Sequence, residues 1–234
     1  MPLLVFWSPK GGTGTSVTAA AVALQAARTR GPVRLVDLAG DQPAVLGLGA
    51  DPETGVADWL AAGPTAPTDA LDRLGVEIIP GLSLVPRGRQ RGVLAPPAAA
   101  EAGAALAVAL RDGPLTIVDA GVPESPVARA LVEVADFSLP VMRECYLALR
   151  RAAGSPLISR CYGLAVFEEP GRSLGHADVA QVLGRPVVAR IPYRVAIARA
   201  VDAGVLPTRL PDSLAKPAAQ LLRELGLVGR RSAA

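Results

Sequence analysis

Ser8-Pro9-Lys10-Gly11-Gly12-Thr13-Gly14-Thr15-Ser16 follows directly on an apolar run, Leu3-Leu4-Val5-Phe6-Trp7. A short apolar run bounded by a glycine-rich turn reads as a buried strand, and the residues from about Thr15 onward read as the start of a helix. Strand, tight turn and helix start, in that order, make a cradle for an anion. Successive backbone N–H groups and the positive end of the helix dipole converge on one point there. The stretch comes close to the phosphate-loop pattern G-x-x-x-x-G-K-[ST] and departs from it twice. Pro9 stands at the first Gly, and Thr15 stands where the lysine that reaches the phosphates belongs. Ser16, at the position of the Mg²⁺ ligand, is retained.

With 234 residues, half of them hydrophobic and 19% charged, the chain has the apolar content for one sizeable α/β domain and is short for two. No internal repeat or domain boundary is visible, so residues 1–234 are read as a single domain. No apolar run reaches about 18 residues and no basic segment precedes the first strand, so neither a membrane span nor a signal peptide is expected. Cys145 and Cys161 lie far apart without metal-ligand spacing, which reads as free thiols in a reducing, cytoplasmic setting. His176 is the single histidine, which argues against a Ser-His-Asp triad or a multi-histidine metal site; it reads as a solvent-facing helix start. The net charge of +3 is uneven: from Tyr193 onward six arginines and Lys216 stand against Asp202, Asp212 and Glu224. Lys10 and Lys216 are the only lysines among 24 basic residues, so a lysine inside the loop stands out.

Along the chain, Val17 to Arg30 is an alanine-rich helix closed by Gly31-Pro32, and Val33 to Leu38 is a strand that carries Asp37 near its end. Asp51 to Ala61 is read as a short helix with Asp51 as N-cap. Val76 to Ile79 and Leu82 to Val85 are strands across a Pro80-Gly81 turn, and a helix covers Ala98 to Arg111. Leu115 to Asp119 is a continuous apolar run ending on an acid, the form of a buried parallel strand. The remainder alternates in the same way: helix Pro126 to Ala135, strand Phe137 to Val141, helix Cys145 to Ala153, strand Tyr162 to Phe167, helix Leu174 to Leu183 and strand Val187 to Ile191. Helices from Val195 to Ala203 and Ser213 to Leu227 close it. Such alternation implies an α/β fold: a single doubly wound, mostly parallel sheet flanked by helices. In such sheets ligands sit at the carboxyl ends of the strands, where the loop after Trp7, Asp37 and Asp119 gather.

A phosphate loop with acids at two other strand tips is the layout of a Mg²⁺-nucleotide site. The loop from Gly11 through Gly12, Thr13, Gly14 and Thr15 to Ser16 holds phosphate, Ser16 and Asp119 serve the metal, and Asp37 orients a water or completes the metal shell. Read blandly, the glycines serve only a tight turn; Lys10, with no task in a turn, stands against that.

Lys10-Gly11-Gly12-x-Gly14-x-Ser16 resembles the deviant Walker A motif, KGGxGK[ST], of the ParA/MinD group of P-loop ATPases. The resemblance runs the length of the chain. Arg34 to Leu38 is similar to the switch I strand, Thr116 to Gly121 to the Walker B strand and switch II, and Ala135 to Val141 to the segment that follows. Ile191-Pro192-Tyr193-Arg194 is similar to the late loop that packs against the base, which makes Pro192 a cofactor contact. By this resemblance the fold is that of the group, the cofactor is ATP or ADP with Mg²⁺, and the protein works as a homodimer that engages a protein partner. Lys10 is then the signature lysine that crosses the dimer to the partner's nucleotide.

The chain departs from that pattern at three places. Thr15 replaces the lysine that serves the chain's own nucleotide, Ala39 stands where a second switch I acid is usual, and the base region, Phe167-Glu168-Glu169, contains no asparagine. Removing a cation from the β- and γ-phosphates lowers binding or turnover by a few kcal/mol. Together these departures point to a degenerate ATPase that positions or recruits a partner with weak or no hydrolysis, as in some TadZ/CpaE-like relatives. One alternative is an active ATP-sandwich dimer in which Lys10 acts in trans. Another is a partition-type DNA-binding protein resting on the basic C-terminal region and on Arg87, Arg89 and Arg91, which read otherwise as a solvated loop. The last helix, with Leu214, Leu221, Leu222, Leu225 and Val228 near one side and Lys216, Arg223, Arg230 and Arg231 elsewhere, reads as packed on the sheet and not as a peripheral membrane anchor.

Overall fold

Runs of consecutive apolar residues become strands that are covered on both faces. β1 (Leu3–Trp7), β2 (Val33–Asp37) and β5 (Leu115–Asp119) are buried at every position. This computed structural model describes residues 1–63, 66–67, 69–90 and 96–228. The remaining strands are β3 (Val76–Ile79), β4 (Leu82–Val85), β6 (Phe137–Arg143), β7 (Leu164–Glu168) and β8 (Val187–Pro192). The eight form one sheet in the order β3-β4-β2-β5-β1-β6-β7-β8, and every pairing except the β3–β4 hairpin is parallel. The chain leaves β1 toward β2 on one side and later passes from β5 to β6 on the other, so strand order reverses around β1. The loop after Trp7 opens at that switch point, where doubly wound sheets bind ligands.

The helices follow the expected alternation: α1 (Thr15–Arg30), α2 (Gln42–Val45), α3 (Val56–Ala62), α4 (Asp69–Arg73), α5 (Pro96–Arg111), α6 (Pro126–Val134), α7 (Tyr146–Ala153), α8 (His176–Leu183), α9 (Val195–Asp202) and α10 (Asp212–Glu224). They split the core into two layers. Leu4, Phe6, Leu35 and Ile117 pack against α1 and α10 on one face, while Leu3, Val5, Trp7 and Val118 pack against α5, α6 and α7 on the other. Small side chains let α1 lie deep between the sheet and α10, with Ala19 to Leu24 all buried. α10 presents Leu214, Ala218, Leu221 and Leu222 to the same layer, so its apolar face is part of the core. No helix among the described residues is long and apolar enough to cross a membrane.

Several boundaries differ from the sequence reading, each for a local reason. Asp51 is exposed and caps nothing; α3 starts after Gly55. Asp58 reaches back to the Gly55 N–H (2.7 Å), and the N–H groups of Val56 and Ala57 donate to the carbonyls of Pro86 and Arg87. The helix therefore starts where a tertiary partner exists for its free donors. Cys145 is the N-cap of α7 and not its first residue. Tyr162 precedes β7 and packs edge-on against Phe137, with ring centroids 5.1 Å apart. Pro140 sits inside β6, yet it pairs with Trp7 at the end of the β1 ladder, and the ladder to β7 begins only at Val141. Its missing donor falls where the strand changes neighbours. Cys145 and Cys161 are both free, as read.

Since Leu222 is fully buried between α10 and the sheet, Leu222→Ala is expected to lower unfolding stability by about 2–5 kcal/mol. Urea denaturation measures this directly, and a loss near zero would show that α10 is not part of the cooperative core.

Candidate functional site

Helix α1 begins on the loop with nothing of its own to quench its dipole. Its first turn carries no acid, and Gly14 at the N-cap makes no side-chain hydrogen bond. The orphan N–H groups of that turn, with the partial positive charge they carry, point into the space above the loop. Gly12 and Gly14 have φ of +75° and +91°. At Gly14 the constraint is double, because a Cβ there would stand 2.6 Å from the ring of Phe167. Phe167, at the end of β7, thus covers the start of α1, a contact that spacing along the chain does not reveal.

The loop side chains are disposed as follows. The hydroxyls of Thr13 and Thr15 lie 3.1 Å apart and are buried, so the residue at the lysine position is turned into the protein. Lys10 is near the tip, its Nζ donating to its neighbour's carbonyl, that of Gly11, at 2.8 Å. The start of the loop is tied to the segment after β5 by Ser8 N–H to Gly121 O (2.8 Å).

Asp37 and Asp119 are register partners on adjacent strands, both fully buried. Asp37 accepts the N–H groups of Gly40 (2.7 Å) and Gln42 (3.0 Å), so both of its oxygens shape the loop that follows β2. Asp119 accepts the Gly121 N–H (3.1 Å) on one oxygen and the Gln42 Nε2 amide (2.8 Å) on the other. The same Nε2 donates to the Ser16 carbonyl at 3.0 Å. Burial pushes Asp37 up to about 7 against the pull of its two N–H bonds, and the neighbouring charges of Asp119 and Asp41 add to the rise. Burial also raises Asp119, opposed by hydrogen bonding from Ser16, Gln42 and Gly121. Gln42 is itself fully buried, and its Oε1 has no hydrogen-bond partner among the described residues.

These groups fit a hard divalent cation. Ser16 and Asp119 are oxygen donors within hydrogen-bonding reach of each other, and the Gln42 amide that bridges the Asp119 carboxylate and the Ser16 carbonyl has an Oε1 with no hydrogen-bond partner among the described residues. Ser16 and Asp119 would hold Mg²⁺, and the ion would supply positive charge at the phosphates.

On the opposite side of the loop, Pro192 pairs in register with Glu168, and Tyr193 N–H donates to Glu168 O (2.9 Å), so the late loop does reach the end of β7. Arg143 lies 5.4 Å from the Tyr193 ring centroid, bonds Glu169, and places Nη1 3.5 Å from the Gly12 carbonyl. Burial pushes the Glu169 carboxyl up, but Arg172 and Arg143 outweigh it and hold the group below its ordinary value. His176 does start a helix but does not simply face solvent: it is half-buried, with Nδ1 3.2 Å from Glu168. Arg190 holds the same carboxylate at 2.5 Å. Arg89 pairs with Glu53 at 3.1 Å, while Arg91, Arg230 and Arg231 lie outside the described residues.

The sequence-selected residues Gly11 to Ser16, Asp37 and Asp119 thus meet at one end of the sheet, with Lys10 and Pro192 at its margin. Gln42 and Arg143 were not found from sequence, and Phe167 was read only as part of the base region, not as the ring against Gly14. Asp41-Gln42-Pro43 does carry a helix-start signal, an acid followed by Pro near the first turn. Nothing in it announces that the glutamine turns inward.

No protein-family model matches the chain, and no curated protein matches it. Solved structures do. A ParA family ATPase from Chlorobium tepidum superposes with a TM-score of 0.78 at 23% identity, covering 96% of this chain and 99% of that one. MinD in the MinC:MinD cell division complex of Aquifex aeolicus gives 0.76 at 19%, covering 100% and 99%. The septum site-determining protein MinD of Pyrococcus horikoshii, complexed with Mg-ADP, gives 0.74 at 18%, covering 96% and 95%. The fold is that of the ParA/MinD ATPases. At these identities the likeness is one of architecture, and the chemistry of the site rests on its own residues.

Two expectations follow for the free protein. Gly14→Ala forces a left-handed alanine, costing about 1–2 kcal/mol, and adds the overlap with Phe167; Phe167→Ala in the same chain should recover the overlap part. A double-mutant cycle by denaturant unfolding reads the coupling, and additive losses would mean that the ring does not constrain the loop. Asp37, raised from 3.8 to about 7, favours folding while protonated. Its contribution is complete below the lower value and is lost as pH rises through the upper one. Unfolding stability should therefore fall between about pH 5 and about pH 8, and the Asp37→Asn variant should be flatter over that range.

Proposed function

We propose that this chain is a nucleotide-binding positioning protein that recruits a protein partner as a homodimer, with ATP hydrolysis weak or absent. The observation that carries this reading is the state of the lysine position: Thr15 is buried and bonded to Thr13, so no cation reaches the phosphates from position 15. The uncapped start of α1, the left-handed glycines and the paired acids support binding of ATP or ADP with Mg²⁺. The architecture shared with MinD in complex with Mg-ADP and with MinC supports a nucleotide ligand and a protein partner.

Phosphoryl transfer depends on positioning and on stabilising charge that develops on the phosphoryl oxygens. Lys10 and Arg143 are the cations left beside the loop. Among the described residues Lys10 bonds only its own loop, which leaves it able to extend toward a second copy. Arg143 is anchored by Glu169. Affinity without turnover suits a protein whose bound state is a docking surface for another.

Nucleotide binding and hydrolysis by wild type, Lys10→Ala and Thr15→Lys test this. Wild type is expected to bind ADP and ATP, and Thr15→Lys to bind on the order of tenfold to a hundredfold more tightly, since a charge-assisted hydrogen bond is restored. Lys10→Ala should weaken ATP-dependent dimerisation in analytical ultracentrifugation and leave ADP binding nearly unchanged. Wild-type hydrolysis equal to that of Thr15→Lys would refute the loss of turnover, and absence of any nucleotide binding would refute the reading altogether.

A further inference from the structure

Gln42 is a buried side chain whose surroundings neither the fold nor the glycine-rich loop accounts for. It follows β2 by five residues, is fully buried, and reaches across to the carboxyl end of β5 and the first turn of α1. Its amide nitrogen lies between two acceptors, Asp119 Oδ2 at 2.8 Å and Ser16 O at 3.0 Å. An N–H group bridging a buried carboxylate and a carbonyl offers the partial positive charge that a cation would offer. Its oxygen, by contrast, has no hydrogen-bond partner among the described residues. A buried acceptor left unpaired is costly, so an amide that uses only one of its ends calls for a reason. The backbone holds the residue in place regardless: its N–H donates to Asp37 at 3.0 Å, and its carbonyl accepts from Leu46 N–H at 2.9 Å. Only the side-chain amide is free to change, and rotation about its last torsion exchanges nitrogen for oxygen.

We propose that Gln42 is a metal-responsive ligand: its Nε2 holds Asp119 and Ser16 together in the free protein, and its Oε1 turns to donate to the cation when Mg²⁺ arrives with nucleotide. This rests on the nucleotide-binding reading above and extends it to a residue of the loop after β2. The exchange ties the metal to that loop, because the backbone of the same residue is bonded to Asp37. Occupancy of the phosphate cradle is thereby communicated to the outer edge of the site without any lysine at position 15.

The test compares ADP affinity by calorimetry in Mg²⁺ and in EDTA for wild type, Gln42→Leu and Gln42→Glu. Loss of a group that supports a metal lowers metal affinity by about 10–100-fold. Gln42→Leu should lose the Mg²⁺ enhancement of ADP binding by that factor and keep its affinity in EDTA, while Gln42→Glu, which retains an oxygen donor, should keep the enhancement. Mn²⁺ binding in the presence of ADP, followed by electron paramagnetic resonance, should follow the same ranking. If Gln42→Leu fails to fold, the wild-type protein still decides the matter. The Gln42 side-chain amide resonances, identified by their absence from Gln42→Glu, should shift on adding Mg²⁺ with ADP and remain in place with ADP alone. Full enhancement in Gln42→Leu, equal loss in both variants, equal losses of affinity in EDTA and in Mg²⁺, or an amide that ignores Mg²⁺ would each overturn the inference. Wild type that binds ADP with no gain from Mg²⁺ would overturn it too and leave nucleotide binding standing. No ADP binding under either condition would remove both.

Discussion

Two carboxylates buried side by side at the tips of neighbouring strands impose the condition that the rest of the site must meet. Asp37 and Asp119 are register partners with no solvent around them, and burial drives both toward the protonated state. An uncompensated pair of this kind is costly, and N–H groups are turned toward both carboxylates. Gly40 and Gln42 present backbone N–H groups to Asp37, and Gly121 and the Gln42 amide present theirs to Asp119. The loop after β2, the short helix α2 and the turn after β5 take the shapes they do because each must deliver an N–H to a fixed carboxylate.

The glycine-rich loop meets the complementary condition. Helix α1 starts without an acid or a side-chain cap, which leaves positive partial charge facing outward. The loop is held open by left-handed glycines and by the Phe167 ring lying against Gly14. What the loop lacks is a cation at position 15. Thr15 is turned inward toward Thr13, and the charges that remain are at the margin: Lys10 at the tip, and Arg143 anchored on Glu169. Fixed dipoles favour an anion at such a place, whereas charge added as a reaction proceeds would have to come from those margins.

Much of this was legible in the chain. The apolar runs Leu3 to Trp7 and Leu115 to Asp119 are strands because five consecutive buried residues suit a strand covered on both faces, and both occupy the centre of the sheet. The loop, Ser16 and the two acids were found because their chemistry depends on residue type at a strand end, which is a local property. Asp51 was misread as a helix cap. A plausible cap is cheap to write in sequence, and the real start of α3 is set by the carbonyls of Pro86 and Arg87, some thirty residues away. His176 was correctly put at a helix start, yet its half-buried contact with Glu168 depends on how β7 and α8 meet.

The sequence alone determined that the chain is an α/β sheet with a glycine-rich loop after its first strand, and that Thr15 stands where the phosphate-loop pattern has a lysine. Those features follow from periodicity, from glycine's freedom and from the identity of single residues. Only the tertiary structure decided that Gln42 lies between Asp119 and Ser16, that Phe167 closes over Gly14, and that Arg143 stands beside Gly12. Each of these joins segments separated by 26 to 153 residues. The direction a side chain takes after leaving its own element is set by the packing of the others, and no local pattern encodes it.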